Sequence, residues 1–172
     1  MLISMVTPGP YDAAANAVRA LLHMIRSAGE IPPAFWEDAF VLGFLFYYMH
    51  AVAVRAGETP AEYSDMPRAY VMACGDDLGV EVLQRTMAFS MEQDPNYLEG
   101  LKAGDKFISI IYGSKAYDCD PDVVNARKRA LATKLELQKD VQIDLSDAEH
   151  AYLLEAIFLS KVRWRVGKQL LN

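Results

Sequence analysis

The sequence predicts an all-α protein folded as a compact bundle of six or seven helices. A capping side chain followed by proline occurs at Thr59-Pro60, Asp94-Pro95 and Asp120-Pro121. Such a pair is typical of a helix start, because the first side chain caps free N–H groups and proline lacks only an N–H that the helix would leave unbonded. Apolar residues also recur at spacings of three and four, and no two segments carry the turn residues of a β-hairpin.

The first two predicted helices are separated by a glycine and a pair of prolines. The first begins at Pro10 and ends near Ser27. The second covers residues 33–56, with acidic residues in its first turns and Arg55 in its last turn, where each favours the helix dipole. At roughly 24 residues this helix would be about 36 Å long. We expect it to form the centre of the bundle.

The remaining predicted helices follow similar boundary signals. One helix covers residues 67–74, the next begins at 76 or 77, and a third begins at 95. The last two run from 121 to about 139 and from 146 almost to the C-terminus. On the helix that begins at 76 or 77, we expect an inward-facing apolar stripe made of Val80, Leu83, Met87 and Met91. On the next helix, Gly100 and Gly104 lie four residues apart on one face. Two such small residues predict that another helix approaches closely there.

Length and composition predict one helical domain over residues 1–172. The chain is long enough for a substantial core, and 52% of its residues are hydrophobic. A net charge of −6 argues against general attraction to nucleic acid. Cys74 and Cys119 show no C-x-x-C spacing, and the N-terminus lacks the pattern of a signal peptide. These features predict a protein of the reducing cytoplasm.

The central predicted helix contains an uncharged run of 16 residues, Ala39 to Val54. A membrane span needs about 20 strongly apolar residues, and this run includes Tyr47, Tyr48 and His50, so no membrane span is predicted. A helix that is apolar all round is buried all round. Because a small domain rarely hides so long a helix completely, we also expect a leftover apolar face. Such faces mark association, and the commonest association is a symmetric homodimer.

An alternative interpretation places a small-molecule pocket beside this helix. Its wall would contain Phe44, Tyr47, Tyr48 and His50, since a few polar groups in an apolar wall are typical of ligand pockets. The site would then bind a small molecule or a metal and could be enzymatic.

Motifs for metal, cofactor or nucleophilic chemistry are missing from the sequence. The three histidines, His23, His50 and His150, have no carboxylate at the H-E-x-x-H or E-x-x-H spacing. No nucleotide-binding glycine loop and no G-x-S-x-G motif occurs. Cys74 lies in an apolar context typical of a buried structural thiol. We therefore predict no metal and no cofactor, and we favour a non-enzymatic function.

The last predicted helix carries a basic stripe. At 100° per residue, His150, Lys161, Arg165 and Lys168 fall within about 60° of one another. The stripe could bind an anion, an acidic protein partner or the acidic part of a second copy, because residues 1–100 carry 13 acidic and 5 basic side chains. The simpler interpretation is a solvated face, since basic residues are favoured near any helix C-terminus.

Together these observations favour a cytoplasmic interaction protein that self-associates through apolar helix faces. In this hypothesis the basic C-terminal helix contacts an acidic partner. The alternative remains a helical bundle that binds a small molecule or metal beside its second helix.

Overall fold

The structure, a computed structural model, describes residues 9–27, 29–57, 66–137 and 145–166. All regular structure in these ranges is helical, which confirms the predicted all-α class. The helices are α1 (Pro10–Ser27), α2 (Ala39–Arg55), α3 (Met66–Cys74), α4 (Asp76–Glu92), α5 (Pro95–Ile111), α6 (Pro121–Leu137), α7 (Leu145–Leu154) and α8 (Ser160–Val166). A π-helical turn, Glu155–Leu159, joins α7 to α8, so these segments form one continuous helix.

The central helix begins later than the sequence predicted. Residues Pro33–Glu37 form a separate 3-10 turn, and α2 starts at Ala39. Asp38 has extended backbone angles, and its carboxylate accepts a 3.0 Å hydrogen bond from the N–H of Val41. Asp38 is therefore the N-cap of α2 rather than a residue of its first turn, because the cap interaction satisfies an N–H that the helix cannot bond internally.

α2 forms the centre of the bundle, as predicted. It packs against α1, α4, α5 and the 3-10 turn. Its N-terminal half, Phe40 to Leu45, is buried on every side, and Met49 and Ala53 continue the burial towards its C-terminus. Buried residues from all the helices join this segment in one hydrophobic cluster. An uncharged helix is stable in this position because its surroundings are apolar in all directions.

Glycines allow α2 and α5 to pack backbone against backbone. A Cβ atom at Gly100 would meet the carbonyl of Phe40, and one at Gly43 would meet the carbonyl of Tyr97. Both distances would be much shorter than a van der Waals contact. Gly104 lies against Tyr47 at the next turn of the same crossing. The prediction that Gly100 and Gly104 admit a close neighbour is confirmed, and that neighbour is α2.

The predicted inward stripe of α4 was wrong for Val80, Met87 and Met91, whereas Leu83 is half-buried against the core as predicted. Val80, Met87 and Met91 are exposed, whereas Gly79, Val82 and Thr86 are buried. The physical reason is the approach of α3. A Cβ atom at Gly79 would lie 2.6 Å from the Tyr70 carbonyl oxygen, so only the narrow face of α4 fits against α3. The buried positions of α4 are therefore Gly79, Val82 and Thr86, whereas Leu83 and Phe89 are half-buried against the core, and Val80, Met87 and Met91 face outwards.

The π-helical turn positions the aromatic centre of the core. Phe158 lies in this turn and is fully buried. Its ring centroid is 4.1 Å from that of Phe44, 5.9 Å from that of Phe40 and 6.3 Å from that of Phe35. One side chain thus contacts two aromatic rings of α2 and one of the 3-10 turn, which fixes the last helix against the centre of the bundle.

Among the described helices, none is both long and apolar enough to cross a membrane.

Candidate functional site

The outer side of α4 presents an exposed apolar stripe. Val80 is 48% exposed, Met87 56% and Met91 83%, and Gln84 between them is exposed as well. These four residues follow the alternating three- and four-residue spacing of a coiled-coil contact line. We call them the α4 face. Large apolar side chains that line up in solvent mark association surfaces, whereas scattered ones do not.

Charged side chains lie beside the α4 face but not on it. Arg85 is turned towards the 3-10 turn, where it donates to the backbone carbonyl of Trp36 and pairs with Glu37 at 3.6 Å. Arg85 also binds Glu81 at 2.7 Å, which balances this carboxylate beside Val80, while Asp77 and Glu92 are exposed at the two ends of the stripe. Between residues 80 and 91, a partner on the α4 face would therefore meet apolar and neutral surface.

An apolar groove of about 430 Å³ lies along one edge of the α4 face. We call it the α4 groove. Its apolar lining consists of Phe46, Met66, Pro67, Leu83, Met87 and Met91, and its polar lining of Thr86, Ser90 and Tyr97. Among the described residues, this open groove is bordered by α2, α3, α4 and the start of α5. Three methionines give it an adaptable wall, because their unbranched side chains adjust to the shape of what they contact.

The hydroxyl groups that line the groove differ in their hydrogen bonding. Thr86 donates to the carbonyl of Val82 at 2.7 Å. Tyr97 is only 1% exposed, and its hydroxyl oxygen is buried. Burial raises the pKa of Tyr97, and a side-chain hydrogen bond with Ser90 partly offsets that increase. Tyr97 therefore holds a neutral, buried hydroxyl group at the groove.

Phe44 and Tyr47, two residues predicted to line a pocket, instead connect α2 to its neighbours. Phe44 is fully buried in the aromatic centre of the core. The Tyr47 hydroxyl donates to Asp105 of α5, whose second carboxylate oxygen accepts from Tyr117 at 3.4 Å. Burial and the bond to Asp105 raise the pKa of Tyr47 to about 12. Both residues therefore stabilise the packing of α2 rather than present free chemical groups.

Tyr48 and His50 also lie away from the groove lining. Tyr48 is half-buried, and its ring stacks parallel to Phe44 with centroids 6.4 Å apart. His50 is half-buried beside Phe46, and burial lowers its pKa. The residue that α2 contributes to the groove is Phe46. The four residues predicted to line a pocket therefore do not line this groove, whose described lining comes mainly from α4.

The predicted basic stripe is partly used inside the chain. Lys161 binds one oxygen of Glu99 at 2.8 Å, and Arg165 binds the other at 2.9 Å. These bonds, chiefly the one from Lys161, lower the pKa of Glu99. Both cations also lie over the ring of Phe40. The acidic partner of these two residues is therefore Glu99 of α5 in the same chain.

The alignment of the other stripe residues is not supported. His150 precedes the π-helical turn and is half-buried, whereas Lys161 and Arg165 follow that turn. A π turn contains more residues than an α turn, so a uniform 100° step does not hold between His150 and Lys161. Lys168 lies outside the described residues.

Reactive and metal-binding groups are sparse in the described part of the chain. Within it, no group of three histidine, cysteine, aspartate or glutamate side chains is placed to hold a metal ion. Burial raises the pKa of the Cys74 thiol to about 11, which makes it a weak nucleophile at neutral pH. The α4 face and the α4 groove are therefore the features that favour a binding function.

No protein-family model, curated protein or solved structure matches this chain.

Proposed function

We propose that this chain is a non-enzymatic interaction protein that forms a homodimer, with the α4 face of one copy packed against the α4 face of another. The exposed, uncharged stripe of Val80, Gln84, Met87 and Met91 carries this proposal. Burying such a stripe removes apolar surface from water, which is the main driving force of association. A second copy is a natural occupant because symmetric dimers pair a surface with itself.

An antiparallel pair of α4 helices gives the α4 face a complementary surface. When the two-fold axis passes between residues 85 and 86, Val80 meets Met91 of the second copy and Gln84 meets Met87 of the second copy. At each end of the contact, Val80 of one copy then faces the longer Met91 side chain of the other, which favours close packing. The positive end of each helix dipole also lies beside the negative end of the other.

The proposal moves the dimer contact from α2 to α4. The predicted contact on α2 would have used residues such as Phe44, which is already fully buried within its own chain. Contact with an acidic partner through Lys161 and Arg165 is not included, because Glu99 already binds both side chains.

A cytoplasmic location and the absence of catalysis are part of the same proposal. Cys74 and Cys119 are free thiols rather than a disulfide, as in most proteins of a reducing compartment. The raised pKa values of Cys74 and Tyr47 favour protonated, unreactive side chains at neutral pH. These observations support structural roles for both residues.

Met87→Glu is expected to convert the dimer to a monomer. Residue 87 would lie close to the two-fold axis, so two carboxylates would be buried near each other without a positive partner. We expect the dissociation constant to rise by at least about 100-fold, measured by sedimentation equilibrium. Because Met87 is 56% exposed within its own chain, the monomer should keep its fold.

Leu131→Glu is the matched control. Leu131 is 54% exposed on α6, almost the same fraction as Met87, but it lies outside the α4 face. The Leu131→Glu protein should remain a dimer. A wild-type chain that stays monomeric up to about 1 mM protein, where even weak association would be detected, would contradict the proposal. Equal dissociation of both variants would contradict the placement on α4.

A further inference from the structure

We propose that a groove between α5 and the π-helical turn binds a small organic carboxylate with a compact apolar body. The groove has a volume of about 270 Å³ and is lined by residues of α5, the π-helical turn, α8 and the start of α6. We call it the α5 groove. Ligand pockets usually have volumes of roughly 300 to 1,000 Å³, so the α5 groove suits a ligand near the small end of this range.

The inner part of the α5 groove is apolar and lies on the π-helical turn. Its residues are Ala103, which is buried, and Ala156 and Ile157, which both belong to that turn. The short side chains of the two alanines leave space between the helices. Single π turns inside α-helices are rare and occur frequently at functional sites. This part of the lining would contact the apolar body of a ligand.

Lys102 places a positive charge in the α5 groove without a counter-charge from the chain. Its side chain is exposed and forms no ion pair or hydrogen bond with any residue that the structure describes. Lys102 directly precedes Ala103 on α5, so its ammonium group belongs to the same groove as the apolar surface. A carboxylate on the ligand would supply the missing negative charge and accept a charge-assisted hydrogen bond.

The other charged residues of the lining form two pairs that flank Lys102. The pairs are Lys161 with Glu99 at 2.8 Å and Lys106 with Asp122 at 3.9 Å. Outside the lining, Asp120 also binds Lys106 and Arg165 also binds Glu99, and the charges of these two residues cancel. The charge of Lys102 is therefore the net charge of the groove. Because an ammonium group has three N–H donors, the two paired lysines can still donate to a ligand.

These charges and the volume define the chemical class of the ligand. A single carboxylate neutralises Lys102, whereas an anion of higher charge would add repulsion from the carboxylates of Glu99 and Asp122. At about 30 Å³ per water molecule, the groove corresponds to about nine waters, which is close to the size of benzoate. No residue of the α4 face lines the α5 groove, so binding is independent of the proposed dimer and should also occur in a monomer.

The experiment compares benzoate with benzamide, a neutral analogue of the same shape, and with acetate, which lacks the ring. Backbone amide shifts of the wild-type chain are followed by NMR titration at constant ionic strength. We expect benzoate to bind with a dissociation constant below about 5 mM and to shift amides of α5 and the π-helical turn. It should bind about tenfold more tightly than benzamide, as one charge-assisted hydrogen bond allows. Acetate should also bind at least about tenfold more weakly, because it cannot cover the apolar surface.

Two variants separate the contributions of charge and space. Lys102→Gln should remove the preference for benzoate over benzamide and leave benzamide binding unchanged, since the exposed position tolerates substitution. Ala156→Leu should weaken benzoate by at least about tenfold by filling the groove at a half-buried position, with a smaller effect on acetate.

Lys128→Gln is the matched control. Lys128 is exposed on α6 and forms no ion pair with a described residue, but it does not line the α5 groove. The Lys128→Gln protein loses the same charge and should keep the tenfold preference. Absence of saturable benzoate binding up to about 5 mM would overturn the proposal. A preference that survives in Lys102→Gln, or that is lost equally in Lys128→Gln, would overturn it as well.

Discussion

Gly100→Ala is expected to lower the free energy of unfolding by about 3 kcal/mol or more, at the upper end of overpacking effects. The added methyl group would overlap the backbone carbonyl of Phe40, and a backbone atom cannot rotate away as a side chain can. α2 and α5 would have to separate along their whole contact. Because small domains have a total stability of only about 5 to 15 kcal/mol, this loss is large.

Two further variants make the result on Gly100 interpretable. At an exposed helix position, alanine is favoured over glycine by about 1 kcal/mol. Gly100→Ala would therefore raise the free energy of unfolding if the position were open, and lower it if the position is tightly packed. Gly104→Ala should cost less, since its Cβ would meet the Tyr47 side chain at 2.9 Å. Lys102→Ala, on the exposed side of α5, should be nearly neutral. Urea denaturation measures all three. A stabilised Gly100→Ala protein would show that the helices are not in contact there.

Phe158→Ala is expected to cost about 3 to 5 kcal/mol, which corresponds to a fall of about 10 °C in the midpoint of thermal unfolding. Phe158 contacts the rings of Phe35, Phe40 and Phe44, and removing it would leave a cavity among three rigid neighbours. Rigid surroundings collapse poorly around a cavity, so the loss should be near the upper end of the range.

Phe158→Leu is the graded comparison. Leucine restores most of the volume but not the ring contacts, so it should cost less than about 2 kcal/mol. Circular dichroism during heating measures both variants. A fall of less than about 2 °C for Phe158→Ala, well under 1 kcal/mol, would contradict the central position of this residue.

The helices were predictable because their boundary signals are local. The proline after Asp94 or Asp120 acts on the same turn that it begins, whatever the rest of the chain does. Gly100 and Gly104 were also informative, because glycine on a helix face has few uses other than close packing. The uninterrupted apolar character of α2 correctly indicated its central place.

The orientation of α4 was not predictable from the same rules. Its apolar residues were assigned to the core because amphipathic helices usually bury their apolar face. Here Gly79 allows α3 to approach so closely that the small face of α4 is buried instead. Such a conflict between the apolar periodicity of the sequence and the observed burial is expected where a surface binds a partner. The one available signal was Gly79 itself, next to Val80 in the stripe.

The alignment of the basic residues on the last helix was mispredicted for a different reason. The prediction assumed a constant turn angle, and the π-helical turn between His150 and Lys161 breaks that assumption. The contacts of Lys161 and Arg165 with Glu99 join residues more than 60 positions apart. Sequence periodicity carries no information on such distant contacts.

The antiparallel pairing of α4 can be tested by disulfide cross-linking. Cys74→Ala and Cys119→Ser first remove the natural thiols, and Val80→Cys and Met91→Cys are then introduced together. Within one helix these positions are about 16 Å apart, too far for a disulfide, which needs Cα atoms within about 7 Å. In the proposed dimer, residue 80 of one copy faces residue 91 of the other.

Under mild oxidation, the protein with both new cysteines should form a covalent dimer, seen by mass spectrometry under denaturing conditions. Each single-cysteine protein should form no covalent dimer, because the two-fold axis places residue 80 of one copy and residue 80 of the other, or the two copies of residue 91, about 16 Å apart along the helices. A covalent dimer from the pair alone is the predicted result. No covalent dimer, or equal yields from the single-cysteine proteins, would contradict self-association through the α4 face.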